Sequence, residues 1–212
     1  MIKAVVFDFD GVILESAEIK TRAFRKLFAT ERPDRIAAIV DYHARNMGIS
    51  RFVKFKHIFQ NILGRPLPIE TETELGRKFS EIVLQEVLEA PFVPGAREFL
   101  DENCDRYELF VASGTPTEEL RHIAEKRGIA GRFKRICGTP PTKTDILRAI
   151  LTDNGWRPGE VVFVGDAETD LNAARDTDVV FVARIGPESP AMSEAQHRVA
   201  DLRGLATLIV SF

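Results

Sequence analysis

Short apolar runs recur at four places along the chain: 4–7 (Ala-Val-Val-Phe), 108–112 (Glu-Leu-Phe-Val-Ala), 161–164 and 179–182 (both Val-Val-Phe-Val). Near-continuous runs of this length suit strands buried on both faces, as in a parallel sheet. Segments with helical period lie between them. One is 96–103; a second is 117–127, with Leu120, Ile123 and Ala124 on one face; a third is 143–154, with Ile146, Leu147, Ile150 and Leu151 on its apolar side. Strands alternating with helices predict an α/β fold, a doubly wound and mostly parallel sheet with right-handed crossovers. The chain has no internal repeat and no low-complexity stretch.

Residues 17–89 break the rhythm. They contain no valine-rich run, only helical spacings such as Ile36, Ile39, Val40, His43 and Met47, then Phe52, Phe55, Phe59 and Ile62, then Leu75, Phe79, Ile82, Val83 and Val87. A stretch this long is no ordinary crossover, whose loops run about 2–6 residues around one helix. It reads as a helical insertion after the first strand, left through Pro91 and Pro94-Gly95. The expected organisation is a core of 1–16 plus 90–212 and a helical cap of 17–89, placed to act as a lid.

Composition narrows the function classes. Of 212 residues, 29% are charged and the net charge is −3, which argues against a nucleic-acid or membrane-surface footprint. No apolar stretch approaches 18 residues, and Asp8 and Asp10 break the N-terminal run, so neither a membrane span nor a signal peptide is expected. Two cysteines, Cys104 and Cys137, are too few for a disulfide framework. The expectation is a soluble cytoplasmic protein, monomer or dimer.

The first strand ends in Asp8-Phe9-Asp10-Gly11. Residues two apart on a strand share a face, and carboxylates that close raise one another's pKa unless a cation intervenes. The pair therefore suggests a hard metal and a reaction, although strand ends also carry solvated acids. Three further sets of polar residues sit at strand ends or helix starts: Ser113-Gly114-Thr115, Thr142-Lys143-Thr144-Asp145, and Gly165-Asp166-Ala167-Glu168-Thr169-Asp170. In open α/β sheets ligands bind outside the carboxyl ends of the strands, where all four sets converge. Taken singly, Ser113, Thr115, Asp166 and Asp170 also suit turns, helix caps or first-turn acids, and Lys143 suits a solvated surface.

These four motifs, in this order and with this insertion, resemble the haloacid dehalogenase-like hydrolase superfamily, in its phosphatase branch with a helical cap after the first strand. The resemblance spans essentially the whole chain. It implies that Asp8 is a nucleophile forming an aspartyl-phosphate, and that Mg²⁺ is held by the Asp8 and Asp166 side chains and the Asp10 carbonyl, with Asp170 close by. It implies further that the Asp10 carboxyl serves as general acid and then base, and that Ser113, the Gly114 N–H and Lys143 bind the phosphoryl group. Lys143 in the first turn of a helix is unfavourable without an anion between it and the helix start. An aspartate at position 10 favours phosphate esters, because dehalogenase and phosphonate-cleaving relatives replace it.

Within the cap, Gly48-Ile49-Ser50-Arg51 looks like the motif of β-phosphoglucomutase-type relatives, whose arginine grips a distal phosphate; this makes Arg51 a substrate candidate. A solvated basic helix face, with Lys54 and Lys56 as neighbours, accounts for it equally. His43 and His57 read as helix-face histidines in contact with the core, and Glu168 as a surface acid. The preferred function is a Mg²⁺-dependent phosphatase acting on a small-molecule phosphate ester, as in phosphoglycolate phosphatase-type relatives. A phosphosugar mutase stays open. A non-catalytic binding protein on the same fold is disfavoured by the presence of every motif residue.

Overall fold

In a computed structural model, residues 1–186, Met192 and 195–212 are described. The elements are β1 (Ala4–Phe7), α1 (Ala17–Leu27), α2 (Pro33–Arg45), α3 (Arg51–His57), α4 (Ile69–Glu89), α5 (Ala96–Asn103), β2 (Glu108–Pro116), α6 (Thr117–Lys126), β3 (Arg135–Thr139), α7 (Lys143–Asn154), β4 (Val161–Gly165), α8 (Glu168–Arg175), β5 (Val180–Arg184), β6 (His197–Val199) and α9 (Leu205–Val210). The sheet runs β3-β2-β1-β4-β5-β6 and every pairing is parallel. Alternation along the strands divides the core: Val5, Phe7, Leu109, Val111, Val162 and Val164 face α5, α6 and α9, while Ala4, Val6, Phe110, Ala112, Val161 and Phe163 face α7 and α8. Burial on both faces explains why these strands are legible as unbroken apolar runs.

Two strands lie outside the apolar runs. β3 and β6 are the sheet edges; β3 alternates buried Ile136 and Gly138 with partly exposed residues, and β6 is only His-Arg-Val. Edge strands pair on one side and need no continuous apolar sequence. β2 also runs further than its apolar stretch, carrying Ser113, Gly114 and Thr115 within the strand across a register shift between Ala112 and Pro116. Cys104 and Cys137 are free thiols.

Helices α1–α4 fill the interval between β1 and α5. Phe24, Phe55 and Phe79, from α1, α3 and α4, form an aromatic triangle with ring centroids 5.9, 5.0 and 6.4 Å apart. The chain enters and leaves this helical stretch through a two-stranded neck: Val93 N–H donates to Ile13 O at 3.0 Å, Glu15 N–H donates to Pro91 O at 3.0 Å, and Leu14 bridges antiparallel to Phe92. No helix among the described residues is long and apolar enough to cross a membrane.

Candidate active site

The carboxyl ends of β1, β2 and β4 and the N-terminus of α7 meet at one place. Asp8 follows β1 directly, and its N–H donates to Val164 O on β4 at 2.9 Å. Asp166 follows β4, and Asp170 lies in the first turn of α8, where its Oδ2 accepts from Ala167 N–H at 3.1 Å. Two glycines make this closeness feasible. A Cβ on Gly165 would stand 2.3 Å from Asp170 Cβ, and one on Gly11, whose φ is +79°, would stand 2.1 Å from Asp166 Oδ2. Thr142 caps α7, its Oγ1 accepting from Asp145 N–H at 3.1 Å, so Lys143 becomes the first helical residue and turns inward.

Asp8, Asp166 and Asp170 are buried, and one carboxylate oxygen from each lies within 4.8 Å of the others. Lys143 is the ammonium among them, 3.1 Å from Asp8 Oδ2 and 2.5 Å from Asp170 Oδ1. Burial opposes its charge, but the two carboxylates outweigh that and hold its pKa above the usual lysine value. One cation does not neutralise three acids. Burial, reinforced by the Asp170 and Asp10 charges and opposed by Lys143, pushes Asp8 up to about 7. Burial first, then the charges of Asp8 and Asp170, raise Asp166 well above its ordinary value. Asp8 Oδ1 is buried with no hydrogen-bond partner. An unpartnered oxygen inside an acidic cage fits a hard divalent cation with oxygen ligands, as Mg²⁺ is.

Asp10 faces away from this cage. Burial alone would raise its pKa, but the Lys20 ammonium and hydrogen bonds from Lys20, Ser16 and Thr115 hold it below the ordinary value. Lys20 binds Asp10 Oδ2 and donates to Thr115 Oγ1 at 2.5 Å; Ser16 Oγ donates to Asp10 Oδ1 at 2.6 Å. The crowding expected of Asp8 and Asp10 is thus relieved by turning one acid toward a lysine of α1. Ser113 and Gly114 lie at the cavity wall, where Gly114 packs so tightly beneath the α2–α3 turn that a Cβ would stand 2.4 Å from Gly48 O. Thr169 Oγ1 donates to Met47 O at 2.9 Å, tying that turn to the core.

Asp8, Asp10, Ser113, Gly114, Lys143, Asp166 and Asp170 therefore all border this region. Arg51 is buried and lines the same cavity, with its guanidinium engaged by Ser80 Oγ at 2.8 Å and by Glu119 Oε1 of α6 at 2.7 Å, above the Phe79 ring. Glu168 is exposed and His57 stacks on Tyr42, as surface and helix-face residues do. His43, on α2, meets the core as expected, its ring 4.5 Å from that of Phe24. It is buried, lines the cavity and accepts at Nδ1 from Lys54 Nζ at 2.8 Å, because α2 and α3 cross directly over the strand ends. Lys54 is likewise buried, whereas Lys56 is exposed. Lys20 carries no motif and was not legible. Lys54 had a signal, since Arg51, Lys54, Phe55 and Ile58 share one face of α3 and two cations on an apolar face call for a reason.

Comparisons with known proteins agree with this geometry. The model of the haloacid dehalogenase-like hydrolases matches residues 2–178. A phosphoglycolate phosphatase of Synechococcus elongatus is 22% identical over 192 residues, covering 85% of this chain and 82% of that one. A β-phosphoglucomutase from Clostridium difficile superposes with a TM-score of 0.80 at 18% identity, over 100% of this chain and 96% of that one. CbbY from Rhodobacter sphaeroides, solved with phosphate, superposes with a TM-score of 0.76 at 20% identity, over 97% and 96% of the two chains. The chain belongs to the haloacid dehalogenase-like hydrolases and is an enzyme of their phosphatase kind.

Proposed function

We propose that this enzyme hydrolyses a small phosphate monoester in two steps, with Asp8 as the phosphoryl acceptor and residues 17–89 as a cap over a core of 1–16 and 90–212. The observation that carries the reading is the buried, unpartnered Asp8 Oδ1 at the mouth of the sheet, facing the cavity that Ser113 and Gly114 also line. Mg²⁺ would be held by Asp8, Asp166 and the Asp10 carbonyl, with Asp170 supporting them; when bound it supplies positive charge that lets a carboxylate approach an anionic phosphoryl group. Ser113 Oγ, the Gly114 N–H and Lys143 bind the phosphoryl oxygens and hold phosphorus in line with Asp8. The ester bond breaks as Asp8 forms the acyl phosphate, and Asp10 gives a proton to the leaving oxygen. Water then attacks phosphorus, Asp10 takes its proton, and Asp8 is regenerated. With Lys20 beside it, Asp10 rests in the proton-accepting form that the second step needs, so the proton it gives in the first step is one it takes from the monoanion of the bound phosphate ester.

The cavity over Asp8 and Ser113 has a free volume of about 50 Å³, so substrate entry there requires the cap to move. Arg51 belongs to the cap wall that meets the substrate. A phosphosugar mutase is the second reading, supported by the small size of that cavity, since a mutase keeps water from the acyl phosphate. The deciding experiment is Mg²⁺-dependent phosphate release from an aryl phosphate by the protein and by Asp8→Asn. A loss of about 10³-fold or more is expected; equal rates would remove Asp8 from the chemistry. Isomerisation of a sugar phosphate primed with its bisphosphate, in place of phosphate release, would select the mutase.

A further inference from the structure

Three cations line the cavity beneath the cap: Lys20, Arg51 and Lys54. Two have carboxylate partners. Lys20 is paired with Asp10, and Arg51 with Glu119 at 2.7 Å. Lys54 is only 2% exposed, and among the described residues the partner of its ammonium is a neutral ring, His43 Nδ1 at 2.8 Å. An ammonium donating to Nδ1 leaves the imidazole proton on Nε2. That Nε2 is buried and has no hydrogen-bond partner. The pair thus presents a cation without a counter-ion and an N–H donor without an acceptor.

Such an arrangement is costly for the fold. Burial, followed by the nearby Lys20 and Lys143 charges, pushes Lys54 down to about 7, and burial with the Lys54 charge pushes His43 down to about 2. The Phe24 ring lies 5.5 Å from Lys54 Nζ and cannot neutralise it. A leucine or methionine at position 54 would pack the same helix face without this cost, so the lysine serves a ligand better than it serves the fold.

We propose that Lys54 and His43 form an anion subsite that receives a second acidic group at the far end of the leaving alcohol. The preferred substrate is then a short phosphate ester carrying a carboxylate or a second phosphate. The proposal rests on the phosphatase reading for the group at Asp8. Lys54 supplies the charge, His43 Nε2–H supplies a directed hydrogen bond, and the bound anion restores the partner that each lacks. The small free volume favours a leaving group of few carbons.

Binding tests this without turnover. Titration calorimetry on Asp8→Asn with Mg²⁺ compares 2-phosphoglycolate, 1,3-propanediol bisphosphate and ethyl phosphate, which end in a carboxylate, a phosphate and a methyl group. At least one anionic ester is expected to bind about tenfold or more tightly than ethyl phosphate, and the better of the two identifies the anion. In Asp8→Asn/Lys54→Met that advantage is expected to fall below about threefold, and Asp8→Asn/His43→Phe is expected to reduce it in part, each variant being checked for folding by circular dichroism. No binding of any ester, no advantage for the anionic ones, or an advantage that survives Lys54→Met would overturn the subsite. Phosphate release from the three esters by the unaltered protein separately tests the phosphatase reading. Release from none of them beside an intact binding preference would remove the reaction and leave the subsite standing.

Discussion

Lys143 Nζ stands 2.5 Å from Asp170 Oδ1 and so places a single ammonium among three buried carboxylates. The imbalance makes stability depend on pH. Asp8 has its folded pKa raised from 3.8 to about 7, so the folded state binds more protons than the unfolded chain between those values. Stability is then greatest on the acid side and is lost as pH rises toward about 7. Urea unfolding in chelator should show a loss on the order of 3 kcal/mol between pH 5 and pH 8. Millimolar Mg²⁺ should recover most of it at pH 8. A metal-free protein equally stable at both pH values would contradict the acidic cage.

Gly11 has a φ of +79° and no room for a side chain, since Asp166 Oδ2 would lie 2.1 Å from a Cβ. Gly11→Ala is expected to displace Asp166, to lower stability by about 1–3 kcal/mol, and to raise the Mg²⁺ concentration needed for half-maximal activity by about tenfold. Mg²⁺ titrations of phosphatase activity beside thermal unfolding check both effects.

Lys20 holds Asp10 below the usual carboxylate range, as its ion pair, with the Thr115 and Ser16 hydroxyls, outweighs burial. Lys20→Met removes the largest lowering influence and lets burial raise Asp10. The acid limb of the kcat profile should move to higher pH, and kcat at pH 7 should fall by about tenfold or more. An unmoved limb would mean that Asp10 does not set it.

Arg51 and Glu119 join α3 to α6 with side chains only 3% and 11% exposed. Removing one partner leaves the other charge buried, so Glu119→Gln is expected to destabilise the protein by about 3 kcal/mol. Adding Arg51→Met should return part of that loss. A double-mutant cycle by urea unfolding measures the coupling, and strict additivity would show that the pair makes no contribution.

Four strands and three core helices were legible because strands buried on both faces must be continuously apolar, and amphipathic helices must repeat at 3.6 residues. β3 and β6 were not, because edge strands obey neither demand. The motif acids were legible through position: Asp8 and Asp166 follow apolar strands that end abruptly in charge. Ser113 and Thr115 were visible as polar residues, but their place inside β2 depends on a register shift that pairing with β3 decides.

The partners of those residues were not legible. Lys20 reaches Asp10 from α1, Lys54 reaches His43 from α3 to α2, and Arg51 reaches Glu119 from α3 to α6. The sequence by itself determined the four inner strands, the helical stretch after β1 and the acids at the strand ends, because local burial and chain direction suffice to place them. Which cations are neutralised, and which one is left facing the cavity without a counter-ion, was decided only by the tertiary structure. Charge pairing depends on distances between side chains far apart in the chain, and no local pattern encodes them.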